Sequence, residues 1–277
     1  MVRLLFIILC VLSFNCFANE RNDIPNCYQY SHLQQFQPHA QGRELVILID
    51  QTVHVPTSIK QNIWEKVVRW AQPGDHIILY QFSALLKDKY LQRVYDGTLA
   101  PLLTDKSIRD NLGLDSLKQL DQCLIEQKQF FAKQIGQTMA KSYSIHGDNI
   151  AKSEIINSLQ QVNQDIKNHP QQLNRRYLVI SDMLENSDFD SFYRNNAIRN
   201  LSPDMEMKQI SSLELTTDFE GSPIYVVGAG LIASQHGNNY RSGKIMQNLE
   251  KFWSKWMTNS NGKLVYFGAP DLNIDLQ

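Results

Sequence analysis

Polar side chains that could bind a cation or a protein partner directly follow two apolar segments of this chain. Asp50 ends a run of five apolar residues, with the hydroxyl of Thr52 two positions on and the imidazole of His54 two beyond that. Asp182 follows the apolar segment 177–180 in a similar way. Carboxylate and hydroxyl oxygens are the ligands of hard divalent cations, whereas imidazole suits Zn²⁺ and similar metals. The spacing therefore predicts a binding site assembled from two or more loops.

The apolar runs that precede these polar residues predict strands buried on both faces. Unbroken aliphatic runs of this length are typical of the interior of a parallel sheet. Ligands of open α/β sheets bind at the carboxyl ends of such strands, so we expect Asp50 and Asp182 at one edge. The predicted strands are Leu45–Ile49, Ile77–Tyr80, Tyr177–Ile180, Ile224–Val227 and Leu264–Phe267.

Stretches with apolar residues at helical spacing separate the predicted strands. This alternation predicts an α/β fold with a doubly wound, mostly parallel central sheet. Ser58 and Gln61 have the spacing of a capping box at the start of the helix after the first strand. Residues from about 85 to 144 exceed a normal connection, and we expect a helical insertion there, with an edge strand near 90–95. The predicted later helices are Leu114–Met139, Ile150–Ile166 and Ile245–Met257.

Taken together, these segments resemble a von Willebrand factor A-type domain over roughly Glu44 to Gly268, through short motifs. That family holds a cation with an Asp-x-Ser-x-Ser loop, a Thr from a second loop and an Asp from a third. The residues that match are Asp50, Thr52 and His54 in the first loop, Ser153 in the second and Asp182 in the third, with Asp148 as the alternative in the second loop. The resemblance implies a non-enzymatic binding module whose cation, Mg²⁺ or another divalent ion, bridges to a carboxylate on a partner protein.

His54 departs from the family pattern because an imidazole replaces a small oxygen ligand. Mg²⁺ prefers oxygen ligands in near-octahedral geometry, and imidazole suits other metals. Two hypotheses follow, which are a degenerate site that has lost its metal and a site altered toward another ion. The first is favoured, because a lone histidine in a loop is more often solvated or hydrogen-bonded.

The amino terminus has the features of a secretory signal. A positive charge at Arg3 precedes an apolar core at Leu4–Leu12, and Cys16-Phe17-Ala18 is a small-x-small ending. The apolar stretch is too short for an ordinary membrane span, so we expect cleavage after Ala18 and a periplasmic or secreted protein without a stable span. The expected organisation is a signal peptide at 1–18, a leader at 19–43 and a von Willebrand A-like domain at 44–277.

Cysteine usage agrees with export. Two of the four cysteines lie in the predicted signal peptide, which leaves Cys27 and Cys123. In an oxidising compartment these two allow a single disulfide, and the alternative is a pair of buried free thiols.

The charge balance and the motifs exclude several function classes. The formal net charge is −1 and there is no run of basic residues, which leaves nucleic-acid binding without support. There is no nucleophile elbow, phosphate-binding loop or His-Glu-x-x-His pair. We therefore expect a binding module that contacts protein partners in an envelope assembly of the secretion, pilus or conjugation type. The alternatives are a secreted, metal-assisted phosphoester hydrolase that uses Asp50, and a scaffold that binds through its insertion.

Overall fold

A six-stranded sheet forms the centre of the molecule. The computed structural model describes residues 21–40, 42–83, 90–143, 153–167, 174–194, 197–231, 243–268 and 271–277. The predicted signal peptide and Asp148 lie outside these residues. The strands of the sheet are β1 (Arg43–Asp50), β2 (His76–Phe82), β3 (Leu91–Thr98), β4 (Asn174–Ile180), β7 (Pro223–Val227) and β8 (Lys263–Gly268), and β5 (Tyr193–Arg194) pairs with β6 (Ala197–Ile198) in a separate hairpin.

The strand order is β3-β2-β1-β4-β7-β8, and only the edge strand β3 runs antiparallel to its neighbour within this sheet. From β1 the chain adds β2 and then β3 on one side of the sheet. It then returns to the other side of β1, where it forms β4. The point where the order reverses therefore lies between β1 and β4, which is where doubly wound sheets bind their ligands. The five predicted strands and the mostly parallel α/β fold are confirmed.

Helices cover both faces of the sheet, which explains why the central strands are apolar on both sides. One face packs against α5 (Ile155–Lys167), α6 (Pro203–Ser212) and α7 (Gly243–Asn259). The other face packs against α2 (Thr57–Trp70) and the second half of α4 (Leu114–Ser142). The tryptophans of α7, Trp253 and Trp256, are fully buried as core residues.

The region after β3 contains the short helix α3 (Lys106–Asp110) and then the single long helix α4. The indole of Trp64 on α2 donates to the carbonyl of Ala132 at 3.0 Å, which fastens α4 to the main domain. The first half of α4 packs against the leader helix α1 (Cys27–Tyr30), and Cys27 is bonded to Cys123 with their Cα atoms 5.5 Å apart. The predicted disulfide is therefore present in the structure.

The predicted capping box at Ser58 is wrong. The helix α2 begins at Thr57, its N-cap residue is Pro56, and no side chain caps it. Ser58 consequently lies one residue inside the helix, where its hydroxyl is not in the position of an N-cap acceptor.

A cluster of charged side chains is buried at the amino edge of the sheet, opposite the predicted site. His76 bonds Glu44 at 3.0 Å through one ring nitrogen and Asp96 at 2.8 Å through the other. Arg175 pairs with the other oxygen of Glu44.

The part of the chain that the structure describes contains no helix with the length and apolar character of a membrane span.

Candidate functional site

The carboxylate of Asp50 lies at the carboxyl end of β1 and is completely buried. One oxygen, Oδ1, accepts from the backbone N–H of Thr52 at 3.0 Å and from the Thr52 hydroxyl at 2.6 Å. The other oxygen, Oδ2, accepts from the hydroxyls of Ser153 at 2.9 Å and Ser181 at 2.8 Å. Asp50 therefore connects three separate loops from inside. We call Asp50, Thr52, Ser153, Ser181 and Asp182 the carboxyl-edge site.

Strand register brings these loops together. The last paired residues of β1 and β4 are Ile49 and Ile180, so Asp50 and Ser181 are the next residues on neighbouring parallel strands. Ser153 is held beside them because its backbone exchanges two hydrogen bonds with Asn186, at 3.1 and 2.9 Å.

Asp182 is bonded within its own loop and to the β5–β6 hairpin. Its Oδ1 accepts from the backbone N–H of Leu184 at 2.9 Å, and its Oδ2 accepts from the hydroxyl of Tyr193 at 2.7 Å. Its side chain is nearly buried, with 5 % of the residue exposed. Burial, followed by the charge of Asp182, raises the pKa of Tyr193, so this phenol remains a neutral donor at physiological pH.

The backbone after Asp182 is held in an uncommon conformation. Met183 has a φ of 59°, which a non-glycine residue adopts at some energetic cost. Its N–H donates to the Ser181 hydroxyl at 3.0 Å, and its carbonyl accepts from the indole of Trp253 at 2.8 Å. Gly230 donates its N–H to the carbonyl of Asp182 at 2.7 Å. The loop is therefore fixed by α7 and by the residues that follow β7.

Burial and hydrogen bonding oppose each other at Asp50. Burial raises the pKa of this carboxyl above its ordinary value, whereas the hydrogen bonds from Thr52, Ser181 and Ser153 favour the charged form. Burial is the larger effect, so the pKa of Asp50 is raised on balance, and the four donors offset part of the cost of burying its charge.

A second buried carboxyl, Glu185, lies close to the site. Its Oε2 accepts from the backbone N–H of Ile156 at 3.0 Å, at the amino terminus of α5. Burial raises the pKa of Glu185 to about 8, so the group is mostly protonated at neutral pH. Glu185 therefore caps the helix without adding a full negative charge to the site.

The structure places the predicted site residues as follows. Asp50, Thr52 and Ser153 are in direct contact, and Asp182 directly follows Ser181, which bonds Asp50. The side chain of His54 is exposed on the first loop, in contrast to the buried site beneath it.

Three residues at or beside the site, Ser181, Tyr193 and Glu185, were not predicted from the sequence as site residues. Ser181 could have been found, because a residue directly after β4 must neighbour the residue directly after β1 in a parallel pair. Tyr193 could not, since it belongs to a two-residue strand that has no periodic pattern.

The fit of a hard cation can be judged from the donors and acceptors at this site. A carboxylate offers about four lone-pair positions, and protein donors fill that number on Asp50. Each oxygen of Asp182 also accepts at least one protein hydrogen bond. No group of three or more His, Cys, Asp or Glu side chains is arranged to hold a metal among the described residues. A hard-cation shell would require several of these bonds to break, so the residues as placed do not fit it. Metal ligation by Asp50, Thr52, Ser153 and Asp182, which the sequence resemblance implies, stays a prediction.

No family model and no curated protein matches this chain. Three solved structures that it resembles are the pilus adhesin SpaC from Lactobacillus rhamnosus GG, the ArnB paralogue VWA2 from Sulfolobus acidocaldarius and BatB from Bacteroides thetaiotaomicron. Their identities to this chain are 10%, 14% and 13%, with TM-scores of 0.41, 0.30 and 0.35. The alignments cover 78%, 69% and 84% of this chain. They cover 27%, 36% and 92% of the other chains, so this chain spans well under half of the first two.

Proposed function

We propose that this chain is an exported, non-enzymatic binding module that recognises a protein partner at the carboxyl edge of its sheet. The observation that carries the proposal is the Asp50 hydrogen-bond network at the switch point between β1 and β4. Binding surfaces work best when their loops are held in place before the partner arrives. Here a single buried carboxylate connects the loops that carry Thr52, Ser153 and Ser181.

The proposed recognition surface is the rim above this network rather than the buried carboxylate itself. Thr52 is half-buried and His54 is exposed, so both can contact a partner. We infer that the site works without a cation, because protein donors already occupy the oxygens of Asp50 and Asp182. This corresponds to the degenerate form of the von Willebrand A-type site that the sequence resembles.

Export is supported by the Cys27–Cys123 disulfide, because stable disulfides form in oxidising compartments. The predicted signal sequence agrees with this location. We therefore propose that the module works in the periplasm or outside the cell, as part of an envelope assembly of the secretion, pilus or conjugation type.

The hydrolase alternative is less well supported. A nucleophilic carboxylate must reach its substrate, and Asp50 has 0 % of its surface exposed. Its oxygens are also bonded by four donors from Thr52, Ser153 and Ser181.

Photo-crosslinking in cells that carry the gene tests the proposal. A benzoylphenylalanine replaces His54 on the rim, and in a matched control it replaces Lys263, which is exposed at the amino end of β8. We expect a discrete crosslinked protein from position 54, formed equally with and without a chelator, and none from position 263. The same product from both positions, or no product from position 54, would contradict the proposal.

A further inference from the structure

The carboxyl of Glu185, beside the carboxyl-edge site, is fully buried but only partly satisfied. Its Oε2 accepts from the backbone N–H of Ile156 at 3.0 Å, whereas its Oε1 has no hydrogen-bond partner among the described residues. Native proteins satisfy nearly all of their buried polar atoms, so an exception of this kind calls for a physical reason. A charged carboxylate with an unsatisfied buried oxygen would be costly, and this environment therefore favours the protonated carboxyl.

No cation offsets the burial of Glu185. It takes part in none of the ion pairs that the described residues form. The titratable groups of the surrounding elements are acids and phenols, which are Glu154 directly before α5, Tyr90 directly before β3, Asp50 at the end of β1, Tyr193 of β5, and Asp182 and Asp188 of its own loop. Burial outweighs the hydrogen bonds from Ile156, Ser187 and Ile155 and raises the pKa of Glu185 to about 8.

The backbone on either side of Glu185 is bonded to the loops of the carboxyl-edge site. Leu184 donates its N–H to Asp182 at 2.9 Å, and Asn186 exchanges two backbone hydrogen bonds with Ser153. The hydroxyl of Ser153 in turn donates to Asp50. Because none of the surface of Glu185 is exposed, its side chain can reach water only if this segment moves. Such a movement would strain or break the two bonds that hold Ser153 beside Asp50.

We propose that Glu185 is a proton-dependent switch of the carboxyl-edge site, which is closed when this carboxyl is protonated and opens when it ionises. The effect on partner binding rests on the proposed function. In the closed state the loops that carry Thr52, Ser153 and Ser181 stay joined through Asp50. Ionisation favours an open state in which the segment 184–187 moves outward and the carboxylate of Glu185 is hydrated. Partner binding should consequently weaken as the pH rises.

The pH range of the switch follows from the pKa of Glu185 in the two states. The ordinary pKa of this carboxyl is 4.5, and in the closed state it is raised to about 8. Below pH 4.5 both states are protonated, and the closed state is favoured most. Between pH 4.5 and 8 only the open state loses its proton, so the equilibrium constant for opening rises about tenfold for each pH unit. Above pH 8 both states are ionised, and the constant no longer changes.

Hydrogen exchange of the purified chain, measured by mass spectrometry at pH 5.5 and pH 7.5, tests the switch. Exchange times are corrected for the faster chemical exchange at the higher pH. After this correction we expect segments 153–160 and 182–192 to exchange about a hundredfold faster at pH 7.5. They should also exchange faster than β1 at both pH values, because the opening is local rather than global.

The variant Glu185→Gln keeps the shape of the protonated carboxyl but cannot ionise, so its corrected exchange should be the same at both pH values. The matched control Glu250→Gln removes an exposed acid on α7 and should keep the acceleration. Three results would overturn the inference, which are equal corrected exchange of the wild-type chain at both pH values, acceleration that persists in Glu185→Gln, and segments that exchange no faster than β1. The first and third need only the wild-type chain, so they decide even if the glutamine variant folds poorly.

Crosslinking from position 54, repeated at pH 6 and pH 8, measures the effect on partner binding. The crosslinked product should decrease at pH 8 for the wild-type chain and stay constant for Glu185→Gln. If a partner is crosslinked but hydrogen exchange does not respond to pH, only the switch falls. If hydrogen exchange shows the switch but no partner is crosslinked at either pH, only the proposed function falls.

Discussion

At the residue scale, the state of Asp50 determines what the carboxyl-edge site can do. A buried carboxylate is costly unless donors or a cation satisfy it. Thr52, Ser153 and Ser181 provide those donors. The same donors that order the loops are the basis for our proposal that the site works without a metal.

Replacing Asp50 with asparagine should destabilise the protein even when a chelator is present. The amide nitrogen of Asp50→Asn cannot accept from the hydroxyls, and hydrogen bonds to charged groups contribute about 1.5–3 kcal/mol each. We expect the free energy of unfolding in urea to fall by about 3 kcal/mol, against a change of about 0.5 kcal/mol or less for Glu250→Gln, an exposed acid on α7. If the asparagine variant is as stable as the wild type when a chelator is present, the prediction is contradicted. Asp50 would then be a metal ligand whose charge is repelled by its neighbours once the metal has been removed.

The buried His76 at the amino edge should make stability depend on pH. Burial disfavours its charged form, but hydrogen bonds to Asp96 and Glu44 outweigh this and raise the pKa of His76 from 6.5 to about 9. The folded state therefore holds this proton more tightly than the unfolded state. The resulting stability is fully present below pH 6.5 and is lost as the pH rises through about 9.

We expect wild-type stability, measured relative to His76→Gln, to decrease by about 3 kcal/mol between pH 6 and pH 9.5. The difference from the glutamine variant cancels contributions from other groups, including Glu185. Urea unfolding at several pH values measures it. Parallel pH profiles for the two proteins would show that His76 is neutral in the folded state.

At the element scale, the pairing of β1 with β4 is what assembles the site. Their apolar runs were recognisable in the sequence, as was the polar residue that ends each run. The supports of the Asp182 loop were not recognisable, because Tyr193 comes from a two-residue strand and Trp253 from a helix about seventy positions away. Local sequence patterns indicate which residues are buried and whether the spacing of apolar residues is that of a helix or a strand. They carry no information about which distant donor bonds a given carbonyl.

Helix α7 should contribute to the stability of the loop that carries Asp182. The variant Trp253→Phe keeps an aromatic ring but leaves the carbonyl of Met183 without its indole donor. We expect a loss of about 1–3 kcal/mol in the free energy of unfolding. A similar loss is expected for Trp256→Phe, which bonds Leu215, but only Trp253→Phe should perturb NMR signals of residues 181–184. Unchanged signals there would argue against this support.

The insertion also illustrates what the sequence leaves open. The sequence predicted a helix at Leu114–Met139, and the structure has one helix of 29 residues, Leu114–Ser142. A capping box was predicted at Ser58, yet α2 begins at Thr57, directly after Pro56. Proline presets a backbone angle suited to the edge of a helix, so the helix can begin before the apparent cap.

At the scale of the whole molecule, the disulfide joins the leader to the insertion. Cys27 and Cys123 are 96 positions apart, and Cys27 is fully buried in a small apolar cluster of its own. Removing a native disulfide typically costs about 2–5 kcal/mol. We expect that loss in urea unfolding of the Cys27→Ser, Cys123→Ser variant.

Reductant provides the control for this prediction. It should destabilise the wild-type chain by a similar amount and leave the double serine variant unchanged. A wild-type protein that does not respond to reductant, with two freely alkylated thiols, would contradict both the disulfide and the proposed export.

The central claim is that protein donors, rather than a cation, satisfy Asp50 and Asp182. Isothermal titration of the purified mature chain with Mg²⁺, Mn²⁺ and Zn²⁺ tests it most directly, beside the variants Asp182→Ala and His54→Ser. The account predicts no binding by the wild-type chain at millimolar ion concentrations. Stoichiometric binding of Mg²⁺ or Mn²⁺ that Asp182→Ala abolishes, or of Zn²⁺ that His54→Ser abolishes, would contradict it.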